Sequence, residues 1–133
     1  MSQQDVDTVR SAYEAFGRQD IPAVLDTFAD DIQWDVPDSL PIGGVFHGKD
    51  EVGRFFGTIG EHYDELHVEP EEYLDAGDRV VALGHHRGKA KGGDSFEVRF
   101  AMVWTMRDGK AAEFKEFTDT APITKAMEAA ATA

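Results

Sequence analysis

In the second half of this chain the apolar residues recur at every second position, in runs separated by tight-turn signals. Leu66 to Leu74 alternates weakly, and Asp75-Ala-Gly-Asp78 is a turn. Arg79 to Ala90 alternates again, and Gly92-Gly93 is a turn. Ser95 to Met106 is a long alternating run, Asp108-Gly109 is the strongest hairpin signal present, and Ala111 to Thr118 is the last run. Consecutive strands joined so tightly pair antiparallel, since a parallel pair needs a crossover of a dozen residues or more. A half-apolar sheet must be covered on one face, so the first half of the chain has to supply the cover.

That half has helical spacing. Val6, Val9, Tyr13 and Phe16 fall three or four apart; Ser2 and Asp5 resemble a capping box, and Gly17 is a stop. Asp20 is placed to cap a second helix with Pro22 in its first turn. Val24, Leu25 and Phe28 form its apolar face, and Asp30-Asp31 ends it. Ile32, Trp34 and Val36 then alternate as a strand. Pro37 to Gly48 is a loop with a short extended piece at Val45-Phe46. A third helix spans about Asp50 to His62, with Val52, Phe55, Phe56 and Ile59 on its stripe. Gly53, Gly57 and Gly60 share a side of it, for close approach to a neighbour or for room beside a ligand. Pro122 opens a short terminal helix whose Ala-rich end, Met127 to Ala133, is expected to fray.

Composition narrows the function. The 133 residues make one domain, 1–133, with no internal repeat and no linker. No apolar run is long enough to span a bilayer, and the polar, acidic start is not a signal peptide. There is no cysteine, hence no disulfide, no thiol nucleophile and no thiolate metal site; a reducing, cytoplasmic setting fits. Lys and Arg number 13 against 26 Asp and Glu, a formal charge of −13, which repels nucleic acid and anionic membranes. No phosphate-binding Gly-rich loop, no nucleophile elbow and no convincing metal spacing is present, so the expected enzyme works without a cofactor.

Closing both hairpins with two-residue turns predicts the faces. Trp104 then opposes Glu113, Phe100 opposes Phe117, Val98 opposes Asp119 and His85 opposes Phe100. The inner face carries Leu83, His85, Val98, Phe100, Met102, Trp104, Phe117 and Asp119. The outer face carries His86, Arg99, Val103, Phe114 and Glu116, and is read as a homodimer surface. One β-bulge would reverse part of this.

Asp119 is then the first candidate for proton transfer, against a reading as a cap for the terminal helix or a partner of Arg87. His85 is the second, against a histidine satisfied by a strand neighbour. Tyr13, Trp34, Phe55, Phe100, Trp104 and Phe117 are candidate walls of a substrate pocket, or simply core. His47 lies near its mouth, or is only a turn residue.

The order of elements, with Ala29-Asp-Asp-Ile-Gln-Trp-Asp-Val-Pro37, Phe46-His-Gly-Lys49, Val52-x-x-Phe-Phe56, Val103-Trp-Thr-Met-Arg-Asp-Gly-Lys110 and Phe114-Lys-Glu-Phe-Thr-Asp-Thr120, resembles the SnoaL-like polyketide cyclase and ketosteroid isomerase-related family of the nuclear transport factor 2-like superfamily. The resemblance spans nearly the whole chain. It implies an α+β cone, a curved antiparallel sheet wrapped around three N-terminal helices, with a pocket in the open end and dimerisation through the sheet. It also implies an acid–base Asp in the last strand, matched by Asp119. Where ketosteroid isomerases carry a general-base Asp after the second helix, this chain has Val36, and strand 98 to 104 holds no carboxylate. The expected function is isomerase- or cyclase-type acid–base chemistry on a neutral hydrophobic ring or carbonyl compound. The alternative is a non-catalytic small-ligand-binding or dimerisation module.

Overall fold

A computed structural model describes the backbone of residues 2–132 and the side chains of residues 3–129. The elements are α1 (Ser2–Gly17), α2 (Ile21–Asp26), β1 (Phe28–Val36), β2 (Gly44–His47), α3 (Gly48–His62), β3 (Tyr63–Ala76), β4 (Arg79–Ala90), β5 (Ser95–Arg107), β6 (Lys110–Thr118) and α4 (Ala121–Thr132). The fold is α+β, as expected: a curved, unclosed sheet in the order β2-β1-β6-β5-β4-β3. One pair, β1 with β6, is parallel; the others are antiparallel. Where fraying was expected, α4 is helical through Thr132; Ala133 and the Ser2 side chain lie outside the described residues.

Each helix forms where its apolar residues repeat. In α1, Val6, Val9, Ala12 and Ala15 are buried. Asp20 caps α2, its carboxylate accepting from the Ala23 N–H at 3.2 Å. This helix is shorter than predicted, because Phe28 opens β1 instead of closing α2. With Ile32, Trp34 and Val36, Phe28 belongs to the alternating buried set of that strand, and it pairs with Ala111 of β6. Phe28, Ile32 and Phe114 are almost fully buried; each such side chain stabilises the fold by about 1.5–3 kcal/mol. Trp34 stacks on Phe114 with centroids 3.7 Å apart, and Phe55, Phe56 and Trp104 surround the pair.

The glycines of α3 make no approach to a neighbouring element that a β-carbon would block. A β-carbon on Gly57 or Gly60 would meet nothing within 4 Å, and on Gly53 only Leu25 at 3.6 Å. Gly57→Ala is therefore expected to stabilise the protein by about 1 kcal/mol, through helix propensity alone. Urea denaturation checks this; a loss of stability would mean that α3 approaches another element there.

The sheet register departs from the prediction at both hairpins. Asp108-Gly109 does join Arg107 to Lys110, but Met106 faces Ala111 while Thr105 faces Glu113, which leaves Ala112 as a bulge. Beyond it, Trp104 opposes Phe114, Met102 opposes Glu116 and Phe100 opposes Thr118. The β4–β5 connection is not a two-residue turn. Lys89 pairs with Ser95, and residues 91–94 form a longer loop, closed by Gly93 N–H to Ala90 O at 2.9 Å. Helix α4 sits against this loop, with Asp94 N–H reaching Ala126 O at 3.3 Å.

Because a one-residue slip reverses every side chain, β4 and the end of β6 turn over while β5 keeps its predicted face. The inner face carries Val80, Ala82, Gly84 and His86 from β4, Val98, Phe100, Met102 and Trp104 from β5, and Phe114 and Glu116 from β6.

Candidate functional site

Helices α1 and α3 and the inner face of the sheet enclose a cavity of about 80 Å³. Its wall is overwhelmingly apolar, made by Tyr13 and Phe16 of α1, Trp34 of β1, Phe55, Phe56 and Ile59 of α3, and Met102, Trp104 and Phe114 of the sheet. Two ionisable groups that the sequence reading had turned outward, His86 and Glu116, also line it.

Glu116 is partly buried, and no hydrogen bond to its carboxyl is made among the described residues. Burial without a partner favours the neutral acid, and the carboxyl is pushed up to about 7. The Tyr13 hydroxyl accepts from Trp104 Nε1–H at 3.0 Å and donates to Met102 Sδ at 2.9 Å. A thioether is a weak acceptor, so this proton is available to a better one. Desolvation raises Tyr13 well above the ordinary tyrosine range, and desolvation together with the charge of Glu116 takes Tyr63 to about 12. His86 is 6% exposed, lies 4.9 Å from the Phe100 ring and has a buried Nε2 without a partner. Burial lowers it to about 4, so the ring is neutral at physiological pH. Trp34 Nε1 is likewise buried and unpaired.

Of the residues singled out from sequence, the structure brings Tyr13, Trp34, Phe55 and Trp104 together around the cavity. Phe100 is buried on the same face behind His86, outside the cavity wall. Three others are corrected by the register or by local pairing. Phe117 is 56% exposed on the outer face, because the Ala112 bulge gives Phe114 the inward position. His85 faces outward and its Nδ1 pairs with Glu71. His47 is exposed ahead of α3, where its main-chain N–H donates to Glu51 Oε1 at 3.0 Å.

Asp119 lies exposed beyond the end of β6, away from the cavity wall. Its Oδ1 accepts from Ala121 N–H at 3.3 Å, the capping arrangement that was the competing reading, and Arg87 is paired with Glu69 instead. Glu116, the group missed from sequence, had one signal. Phe114 and Phe117 are three apart in a strand and cannot share a face, so an inward Phe114 requires an inward Glu116.

A model of the SnoaL-like domain matches residues 9–114, nearly all of the elements that build this cavity. The chain belongs to the SnoaL-like family. Among solved structures, a nuclear transport factor 2-like protein of unknown function from Burkholderia pseudomallei is 37% identical, with a TM-score of 0.89 over 93% of this chain and 97% of that one. TerC, co-crystallised with polyporic acid, is 26% identical, with a TM-score of 0.89 over 94% and 98%. A protein of ketosteroid isomerase-like fold from Catenulispora acidiphila shares the fold at 20% identity and a TM-score of 0.77, over 91% and 92%. No helix among the described residues of this SnoaL-like protein is long and apolar enough to cross a membrane.

Proposed function

We propose that this SnoaL-like protein is a small enzyme that moves a proton within a neutral, hydrophobic ring or carbonyl compound, using Glu116 as acid and base. The observation that carries this reading is the unpartnered Glu116 carboxyl in an aromatic cavity, held near 7 by burial. A group with that value loses and regains a proton with equal ease at neutral pH, which is what general acid–base catalysis requires. In the proposed step Glu116 takes a proton from a carbon beside the substrate carbonyl. The Tyr13 O–H, released from Met102, donates a hydrogen bond to the oxygen that gains negative charge, and Trp104 N–H holds Tyr13 in place. The proton returns from Glu116 to another carbon, so the step is a double-bond isomerisation with no redox balance to settle. The relative TerC was co-crystallised with polyporic acid, and that precedent supports a small organic occupant here.

A thermal-shift panel of ring ketones, polyketide-like aromatics and terpenoid epoxides would find the substrate class. Glu116→Gln should then keep binding and lower turnover by about 10²–10⁴-fold. Carbon NMR of the labelled glutamates should show one carboxyl with a midpoint near 7, missing in Glu116→Gln. A midpoint in the ordinary carboxylate range, or full turnover in that variant, would remove the basis for the assignment.

The outer face favours a further reading, a homodimer through the sheet. It presents Phe117, 56% exposed, beside the partly buried Leu83, Ala101 and Val103 and the exposed Arg99, a patch of a kind monomers seldom leave open. Phe114, which the sequence placed in this surface, is buried inside and takes no part. Sedimentation should give a dimer at micromolar concentration, and Phe117→Glu should shift it to monomer. A monomeric parent chain would refute this.

A further inference from the structure

We propose that His86 anchors a hydroxyl group of the cavity's occupant at the end remote from Glu116, so that the preferred ligand is a neutral, two-ring aromatic compound with an oxygen at each end. This rests on the reading of the cavity as a small-molecule site and narrows its ligand class.

His86 is the only buried polar or charged residue among those described, and it lines the cavity. No hydrogen bond involves its ring among the described residues, and Nε2 is shut away from solvent without a partner. Buried polar groups are ordinarily paired, and one left unpaired destabilises the empty site until a matching group arrives. A neutral imidazole offers one N–H and one lone pair. A hydroxyl both donates and accepts, so it satisfies either tautomer. A charged group at this position would have to be desolvated without a counter-charge. The lowered protonation of His86 agrees with a neutral partner.

The spacing gives an upper bound on the ligand's length. His86 opposes Val98 and Glu116 opposes Met102, on strands either side of β5. On a flat sheet that separation is roughly 16 Å between backbones, and curvature brings the inward-pointing tips closer. Trp34, Phe55 and Phe56 line the same cavity and offer flat apolar surface for rings. Tyr13, at the Glu116 end, serves one oxygen and His86 the other.

Titration calorimetry with naphthalene, 2-naphthol and 2,6-dihydroxynaphthalene tests this. On the parent protein each added hydroxyl should tighten binding about tenfold. His86→Phe should keep the gain from the first hydroxyl and lose the gain from the second, while His86→Gln, which retains a donor and an acceptor, should recover part of it. A diol that binds the parent no tighter than 2-naphthol overturns the proposal, and that comparison needs no variant to fold. So does a second gain that survives in His86→Phe. Failure of all three compounds to bind would overturn the small-molecule reading itself, a pattern distinct from loss of the second gain alone.

Discussion

Between about pH 4.5 and 6.5 the stability of this protein should be nearly level, and removing one or the other of the cavity's ionisable groups, His86 and Glu116, should tilt it in opposite directions. His86 is lowered from 6.5 to about 4 in the fold. The unfolded chain therefore binds more protons in that interval, and the His86 contribution grows as pH rises from 4 to 6.5. Glu116 is raised from 4.5 to about 7. Here the folded chain binds more protons, and stability is lost as pH rises through 4.5 to 7. Each effect is on the order of 3 kcal/mol, and they oppose one another across the shared window. His86→Gln should therefore lose stability on going from pH 4.5 to 7, and Glu116→Gln should gain it from pH 4 to 6.5. The exposed pairs Asp31–Arg107, Asp64–Lys89 and Glu69–Arg87 hold their carboxylates below the usual range, so they act on the acid side of this window. Urea denaturation at half-unit pH steps reads all three profiles. A Glu116→Gln profile parallel to that of the parent would show that Glu116 is not buried as a neutral acid.

Gly84→Ala should be among the most damaging single changes in the sheet, at about 3 kcal/mol or more. A β-carbon on Gly84 would lie 2.1 Å from the Glu69 carbonyl oxygen and 2.7 Å from the Pro70 α-carbon. Both are main-chain atoms of β3, where the register slips between Pro70 and Glu72, so no side-chain rotation relieves the clash. Gly84 thus lets the β3 main chain pass close to the inner face of β4. A loss below about 1 kcal/mol in denaturant unfolding would mean that β3 can shift freely and that the close approach is not required.

The fold was legible because period and turn chemistry are local. The helical spacing of Val6, Val9, Tyr13 and Phe16, the Asp20 cap and the Asp108-Gly109 turn all did in the structure what they do in isolation. The site was less legible because it depends on register, which is set by contacts remote in sequence. Nothing within Ala111-Ala112 marks a bulge. The loop around Gly93 is shaped by α4, where a β-carbon on Gly93 would meet Ala126 O at 2.3 Å. Two one-residue slips exchanged His85 for His86 and left Glu116, not Asp119, facing the cavity. Trp34, Trp104, Tyr13 and Phe55 do line the cavity, because large aromatics are driven inward whatever the register of their neighbours.

An unclosed sheet also has two strands with an unpaired side, each a template on which another chain could add. In this protein β2 is only four residues long. Strand β3 is fourteen residues long, but it carries Pro70 and the carboxylates of Asp64, Glu65, Glu69, Glu71, Glu72 and Asp75. Two such borders repel each other while charged, and the register slips along β3 twist them out of line. Part of the large negative charge is thereby spent on keeping copies of this chain from stacking edge to edge. Acid strong enough to protonate those carboxylates would remove that protection.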